Sequence, residues 1–148
     1  MDIFVFGTLR SHTLRKIVLG RDMSKDDICK AKIKKFQVYW AKEGPFPVMI
    51  PEPSSETHGI VLKNLSKSDV ERLNYYELGF DYVLAQTLVD TRAGQMEVSA
   101  YFCNRSDMAT TKLWSFDDWL SDHSETQYLA AREFLDFFGT KFGNTAQS

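Results

Sequence analysis

Glu77 is the residue of this sequence whose surroundings best suit acid–base chemistry. It comes near the predicted C-terminal end of a helix, with Tyr75, Tyr76 and Tyr82 close to it in the chain. A carboxylate at that end of a helix meets the unfavourable pole of the helix dipole, and burial among aromatic rings disfavours its charged form. Both effects raise the pKa toward neutrality, as a general base requires. The alternative is a solvent-facing glutamate, and the local sequence leaves both interpretations open.

A second candidate feature is the exit from the first predicted strand, where Gly7, Thr8, Leu9 and Arg10 follow Phe6. A buried strand that passes through a glycine into a helix exposes backbone N–H groups near the start of that helix. Such groups bind a carboxylate or a developing oxyanion. The alternative is a simple strand-to-helix turn, in which Gly7 serves backbone conformation and Thr8 caps the helix.

Other common kinds of site find no support in the sequence. His12, His58 and His123 lack the spacing of zinc ligands. No serine lies in a G-x-S-x-G motif, and Gly7 alone does not form a phosphate-binding loop. We therefore expect no metal and no cofactor.

Composition limits the class of protein. A length of 148 residues fits one domain, and a net charge of −2 argues against a nucleic-acid partner, since such proteins carry a basic excess. Four lysines between residues 30 and 35 are expected on a solvated strand face. No apolar run reaches the roughly 20 residues that span a bilayer. Without a signal-peptide pattern, and with Cys29 and Cys103 expected as free thiols in strands, we expect a cytoplasmic protein without membrane partners.

In the first half of the chain, apolar patterning predicts strands that lead up to a helix carrying Glu77. Strict alternation over residues 31–40 puts Ile33 and Val38 on opposite faces of their strand. A short helix is expected to end at Gly20, and the helix before Glu77 to begin at Ser66 with a capping box. The predicted strands are residues 2–6, 31–40, 48–50 and 58–62, with a loop at 51–56.

In the second half, a hairpin is followed by two helices. Residues 82–89 and 96–102 form the hairpin, joined around residues 91–94, and its second arm is expected to have one core face and one wetter face. The helices begin at Ser115 and Ser124, and Gly139 is expected to end the second.

Four motifs in order resemble the γ-glutamylcyclotransferase-like family. Residues 6–9 are similar to its Tyr-Gly-Ser/Thr-Leu signature, and residues 46–49 to its Tyr-Pro-Ala-hydrophobic segment. Residues 59–61 are similar to its Gly-x-hydrophobic strand. Glu77 with Tyr82 resembles its acidic residue before a Tyr-led strand.

The resemblance covers about residues 2–103 and implies one α+β domain over residues 1–142. That domain would contain a small mixed, barrel-like sheet with a few flanking helices. Two C-terminal helices over about residues 115–139 extend it, and residues 143–148 are expected to be a flexible tail. Phe6 departs from the family tyrosine, and Leu78 stands where glycine commonly follows the acid.

The activity that the resemblance implies is cyclisation of a γ-glutamyl amide or peptide to 5-oxoproline, with release of an amine or amino acid. The substrate's own α-amino nitrogen attacks its γ-carbonyl, so the protein needs no nucleophile. Glu77 would act as general acid and base. The substrate-binding residues implied are Phe6, Gly7, Thr8, Leu9, Arg10 and Tyr82, although a surface ion pair is another role for Arg10.

Two non-enzymatic alternatives remain. The same pocket could bind a small molecule without turnover, because a fold does not determine a function. The C-terminal helices could instead meet a protein partner through Trp114, Phe116 and Trp119, whose competing interpretation is core packing. The sequence leaves the oligomeric state and the identity of the γ-glutamyl compound open.

Overall fold

Strands make up most of the first two-thirds of the chain, and helices make up its end. The computed structural model describes residues 1–77 and 82–147, with side chains as far as residue 136; Leu78 and Ser148 lie outside the described residues. The strands are β1 (Ile3–Val5), β2 (Ile28–Ala41), β3 (Pro47–Leu62), β4 (Tyr82–Thr91), β5 (Gly94–Cys103) and β6 (Ala109–Leu113). The helices are α1 (His12–Leu19), α2 (Lys67–Glu77), α3 (Phe116–Asp122) and α4 (Ser124–Gln147).

The described strands form a closed barrel with one extension. The order is β3-β1-β5-β4-β2, and pairing of β2 with β3 closes the ring. Strand β1 is antiparallel to β3 and parallel to β5, and the other neighbours are antiparallel. Strand β6, which the sequence analysis did not predict, pairs with the far end of β2 outside the ring. The predicted α+β class with a mixed, barrel-like sheet is confirmed.

A bulge in β2 corrects the predicted alternation. Ile33 and Val38 both lie in the barrel interior rather than on opposite faces. The ladder with β3 shifts between Lys34 and Phe36, and Lys35 adopts a φ of 73°. One extra residue in a strand changes the phase of the side chains that follow it. The alternation rule therefore holds on each side of Lys35 but not across it.

The predicted loop at residues 51–56 was also wrong, because these residues belong to one long strand, β3. The strand is irregular there, since Glu56 pairs with Lys34 while Pro51 pairs with Phe36. Glu52 supports the irregular segment by accepting hydrogen bonds from the hydroxyls of Tyr39 and Ser55. Local proline and serine content predicted a loop, whereas pairing with β2 extends the strand.

Two buried clusters of apolar residues lie on the two faces of the sheet. Strand β1 serves both, because Phe4 faces the barrel interior while Ile3 and Val5 face the helices. Gly59 of β3 allows the close approach of β1, since a Cβ there would lie 2.3 Å from the Val5 carbonyl oxygen. The barrel cluster is Phe4, Phe6, Ala31, Ile33, Val38, Met49, Val61, Val89, Val98 and Ala100. The helix-side cluster is Ile3, Val5, Leu9, Leu14, Val18, Leu19, Leu62, Leu65, Leu73, Tyr76, Tyr101, Trp119, Ala131 and Leu135.

The predicted caps of α1 and α2 are present. Gly20 ends α1 in the left-handed conformation, with a φ of 71°. At the start of α2, the Ser66 hydroxyl accepts from the Asp69 N–H at 3.0 Å, and the Asp69 carboxylate accepts from the Ser66 N–H at 2.9 Å. This reciprocal capping box starts the helix that ends at Glu77.

The C-terminal helices pack against the barrel. Trp119 of α3 is fully buried, and Trp114 and Phe116 pack against the helix-side cluster, as the core-packing interpretation expects. Ser115 caps α3 by accepting from the Asp118 N–H. Helix α4 continues past Gly139, the predicted end, because a glycine weakens a helix by only about 1 kcal/mol. Within the described residues, no helix combines the length and apolar character needed to cross a bilayer.

Candidate active site

A pocket opens where the exit of β1 meets the end of α2. Its volume is about 470 Å³ when its open mouth is included. Six of the seven residues that the sequence analysis assigned to a site line this pocket, and Arg10 does not. The lining is formed by Phe4, Val5, Phe6, Gly7, Thr8, Leu9, Phe46, Pro47, Tyr76, Glu77, Tyr82, Tyr101 and Gln127.

Glu77 is the last residue of α2 and keeps part of its side chain accessible from the pocket. Protein atoms crowd around the carboxyl group, and this desolvation raises the pKa of Glu77 to about 8. Burial also raises the pKa of Tyr76, Tyr82 and Tyr101, and the charge of Glu77 adds to each shift. A carboxyl group in this setting can hold or release a proton near neutral pH.

The turn after β1 supplies backbone donors to the same pocket. Residues Thr8–Arg10 form one 3-10 turn, in which the Arg10 N–H donates to the Gly7 carbonyl at 3.0 Å. The N–H groups of Thr8 and Leu9 begin this turn, so they lack acceptors within it. No described residue accepts a hydrogen bond from either of them. They are available to a carboxylate or an oxyanion.

Gly7 permits a close contact between the turn and the start of β3. A Cβ on Gly7 would lie 2.6 Å from Cγ of Pro47, a distance that real Cβ atoms essentially never show. The Tyr82 hydroxyl donates to the carbonyl oxygen of the same proline at 2.6 Å. Pro47 therefore joins the β1 turn to the first residue of β4 across the pocket.

A buried arginine holds the turn from behind. Nη1 of Arg15 donates to the carbonyl oxygens of Leu9 at 3.0 Å and Arg10 at 2.7 Å. Burial lowers the pKa of Arg15. These two hydrogen bonds tie the turn to α1 and limit its movement.

Arg10 lies beside α3 rather than in the pocket lining. Its guanidinium group is 4.7 Å from the ring centre of Phe116. Burial lowers the pKa of Arg10, and the nearby charge of Asp117 partly offsets that effect. The contact with Phe116 is a cation–π interaction that ties the turn to the C-terminal helices.

Some lining residues were missed as site residues by the sequence analysis. Tyr76 was noted only as a neighbour of Glu77, and Tyr101 belonged to the arm expected to be half wet. Tyr101 is instead buried, and its hydroxyl donates to Oδ1 of Asn74 at 2.5 Å. Phe46 and Pro47 carried a signal, because they begin a motif of the resemblance. Gln127 carried none, since a single glutamine on a C-terminal helix has no distinctive pattern.

Comparison with known proteins places this pocket in a family. The family described as "Gamma-glutamyl cyclotransferase, AIG2-like" matches residues 3–121. The chain belongs to that family. A relative, AIG2-like protein B of Arabidopsis thaliana, is 26% identical over 138 residues, covering 91% of this chain and 78% of the relative.

Two solved structures agree with the family's fold. A solution structure of an Arabidopsis thaliana protein has a TM-score of 0.63 at 22% identity, covering 97% of this chain and 91% of its own. A gamma-glutamyl cyclotransferase has a TM-score of 0.57 at 18% identity, covering 71% and 67%. At these identities, the likeness establishes the fold and not the reaction.

The described residues contain no cluster of side chains suited to binding a metal ion. Among the residues described, no group of three or more His, Cys, Asp or Glu side chains is placed to hold a metal ion. Cys29 and Cys103 are both free and only partly buried. The candidate site therefore consists of one carboxyl group, a ring of tyrosines and the amides of the β1 turn.

Proposed function

We propose that this protein cyclises a γ-glutamyl amide or peptide to 5-oxoproline and releases an amine or amino acid. The observation that carries the proposal is the meeting of Glu77 with the turn Gly7–Leu9 in one pocket. Membership in a family that includes gamma-glutamyl cyclotransferases supports the same class of reaction.

Glu77 is proposed to move the protons of the reaction. Its carboxylate takes a proton from the substrate's α-ammonium group, and the freed nitrogen attacks the γ-carbonyl carbon. A new C–N bond closes a five-membered ring, and the carbonyl oxygen becomes an oxyanion. The protonated Glu77 then gives its proton to the leaving nitrogen as the original amide bond breaks and the oxyanion returns to a carbonyl. The ring nitrogen gives its remaining extra proton to the Glu77 carboxylate, which passes it to the released amine, so the amine leaves as an ammonium ion and Glu77 is ionised again. No atom of the protein becomes covalently bound.

The pKa of Glu77, raised by burial to about 8, suits this double role. A carboxyl group with an ordinary pKa would remain ionised at neutral pH and would be a poor acid for the leaving nitrogen. The position of Glu77 among Tyr76, Tyr82 and Tyr101 provides the desolvated setting.

The β1 turn is proposed to bind the charge that develops on the substrate. The N–H groups of Thr8 and Leu9 provide fixed donors for the oxyanion or the α-carboxylate. Phe6, Gly7 and Tyr82 would shape the wall around the glutamyl group, with Gly7 leaving room for Pro47. Folding the glutamyl chain in this space brings its nitrogen and carbonyl carbon together, an effect that can equal effective concentrations of about 10⁵ M or more.

The test is a panel of γ-glutamyl compounds, comprising glutathione, γ-glutamyl dipeptides and γ-glutamyl amines, monitored for 5-oxoproline. Glu77→Gln should keep the fold and lower turnover by about 10²–10⁴-fold, because it removes the proton-transferring group. Glu71→Gln is the matched control, since Glu71 is exposed on the same helix and outside the pocket lining.

Unchanged 5-oxoproline formation in the Glu77→Gln protein would reject the assignment of Glu77. If the wild-type protein binds 5-oxoproline but turns over no member of the panel, the non-catalytic binding module becomes the better account. Melting temperatures of all three proteins separate loss of turnover from loss of fold.

A further inference from the structure

Helix α4 contributes Gln127 to the pocket lining, and the next residue, Tyr128, contacts α1 outside the lining. Nε2 of Gln127 donates to the Tyr76 hydroxyl at 2.8 Å. The Tyr128 hydroxyl lies 2.8 Å from Oγ of Ser11, the residue that caps α1. Both contacts are made to the region around the β1 turn, although α4 lies beyond residues 3–121 that match the family. The C-terminal helix thus belongs to the wall of the candidate site.

Gln127, Tyr76 and Thr8 form a chain of hydrogen bonds, and the donor at each step can be assigned. The amide nitrogen of Gln127 can only donate, so the Tyr76 oxygen accepts its hydrogen. The Tyr76 hydroxyl also lies 3.3 Å from Oγ1 of Thr8. Of these two neighbours, only the Thr8 oxygen can accept the Tyr76 hydrogen.

The direction of this chain determines what the hydroxyl hydrogen of Thr8 can bind. When Oγ1 of Thr8 accepts from Tyr76, its own hydrogen is directed elsewhere. Thr8 lines the pocket, and its backbone N–H belongs to the proposed oxyanion-binding turn. The hydroxyl hydrogen can therefore join the N–H groups of Thr8 and Leu9 as a third donor to a substrate oxygen.

We propose that Gln127 is a positioning residue that acts through Tyr76 to make the Thr8 hydroxyl a hydrogen-bond donor to the substrate's oxyanion or carboxylate. The inference rests on the proposed function and deepens it, because it gives the C-terminal helix a part in the same site. The contact of 3.3 Å between Thr8 and Tyr76 is longer than a usual O–H···O bond. It shortens when a substrate oxygen draws the Thr8 hydrogen, as catalytic hydrogen bonds do on substrate binding.

The test reverses the direction of the chain of hydrogen bonds. In Gln127→Glu, the carboxylate accepts from Tyr76, so the Tyr76 oxygen accepts from Thr8 and the third donor to the substrate is lost. We expect kcat/KM for 5-oxoproline formation to fall by about tenfold or more, mainly through kcat. Thr8→Val should give a fall of similar size.

The double variant identifies the route of the effect. If Gln127 acts only through the Thr8 hydroxyl, adding Gln127→Glu to Thr8→Val causes no further fall. Gln127→Met, which removes the donor without adding charge, should lower kcat/KM in the wild-type background and leave Thr8→Val unchanged. Tyr128→Phe is the matched control, because it removes the contact with Ser11 and should leave kcat unchanged.

Several results would overturn the inference. One is a Gln127→Glu protein with wild-type kcat/KM, and another is a fall that persists in the Thr8→Val background, which indicates a direct effect of charge on Glu77. If the wild-type protein forms no 5-oxoproline, the proposed function fails instead. The same variants are then titrated with 5-oxoproline, and equal Kd values for wild type and Gln127→Glu overturn the inference independently.

Discussion

The barrel cluster and the helix-side cluster are equally well buried but contain different chemistry. Every buried member of the barrel cluster has a hydrocarbon or thioether side chain. The helix-side cluster includes Tyr76 and Tyr101, whose hydroxyls bond to Gln127 and Asn74. Glu77 lies beside these tyrosines and shares the pocket with them.

The pocket borders both clusters, because Phe4 and Phe6 of the barrel cluster line it together with Tyr76 and Tyr101 of the helix-side cluster. The inward-facing side chains of alternating strands fill the interior of a small barrel. The helices pack on the outer face of the sheet. A space remains where α2, α4 and the β1 turn meet. The barrel cluster is therefore wholly apolar, whereas the helix-side cluster contributes polar hydroxyls to the pocket.

The largest effect on stability is expected from a truncation inside the barrel. Met49 is 1% exposed and belongs to the barrel cluster. Met49→Ala removes buried hydrocarbon and leaves a cavity, so we expect unfolding to become easier by about 2–5 kcal/mol, measured by urea denaturation. A loss below 1 kcal/mol would mean that the barrel interior is not tightly packed and would remove the contrast between the clusters.

A smaller effect on the free energy of unfolding is expected from the ionisation of Glu77. Its removal in Glu77→Gln should stabilise the protein near pH 8, whereas Met49→Ala should destabilise it. The folded pKa of Glu77 is about 8, above its ordinary value, so between about pH 5 and pH 8 the folded protein keeps a proton that the unfolded chain has released. Stability from this group is therefore lost as the pH rises through that window. Three pH units correspond to about 4 kcal/mol, and we expect about 3 kcal/mol because part of the side chain stays accessible.

Thermal or chemical unfolding across that pH range measures the effect. Glu77→Gln cannot ionise, so it should become more stable than the wild type as the pH approaches 8, while Glu71→Gln should follow the wild-type curve. Parallel curves for wild type and Glu77→Gln would contradict the buried setting of Glu77.

The smallest effect is expected from one hydroxyl of the helix-side cluster. Tyr101→Phe removes the hydrogen bond to Asn74 but keeps the ring, so we expect a loss of about 0.5–1.5 kcal/mol in unfolding free energy. Asn74→Ala should cost a similar amount, and the double variant should cost little more than either change alone. A loss as large as that for Met49→Ala would show that polar contacts and hydrocarbon packing contribute equally to the two clusters.

Much of the secondary structure was predictable because its signals are local. Gly20 marks the end of α1, and the Ser66–Asp69 capping box marks the start of α2. Each signal involves only residues close together in the chain. The hairpin of β4 and β5 turns at the expected residues, with Thr91 opposite Gly94. The bulge at Lys35 and the strand character of residues 51–56 were not predictable, since both depend on the pairing of β2 with β3.

The candidate site was predictable only as two separate pieces. The β1 turn and Glu77 each had an ordinary alternative interpretation. The structure brings both into one pocket, adds Tyr101 and Gln127, and leaves Arg10 beside Phe116. The part played by each residue in catalysis remains a prediction until turnover is measured.

By itself, the sequence determined most of the strands and helices, though not β6, together with the helix caps and the residue types available for chemistry, because neighbours along the chain decide these properties. Only the tertiary structure decided that Thr8, Tyr76 and Gln127 meet, since 68 positions separate the first pair and 51 the second. It also decided that Glu77 lies in a desolvated pocket rather than in solvent. Burial and the direction of a hydrogen bond depend on groups that come together only when the chain has folded.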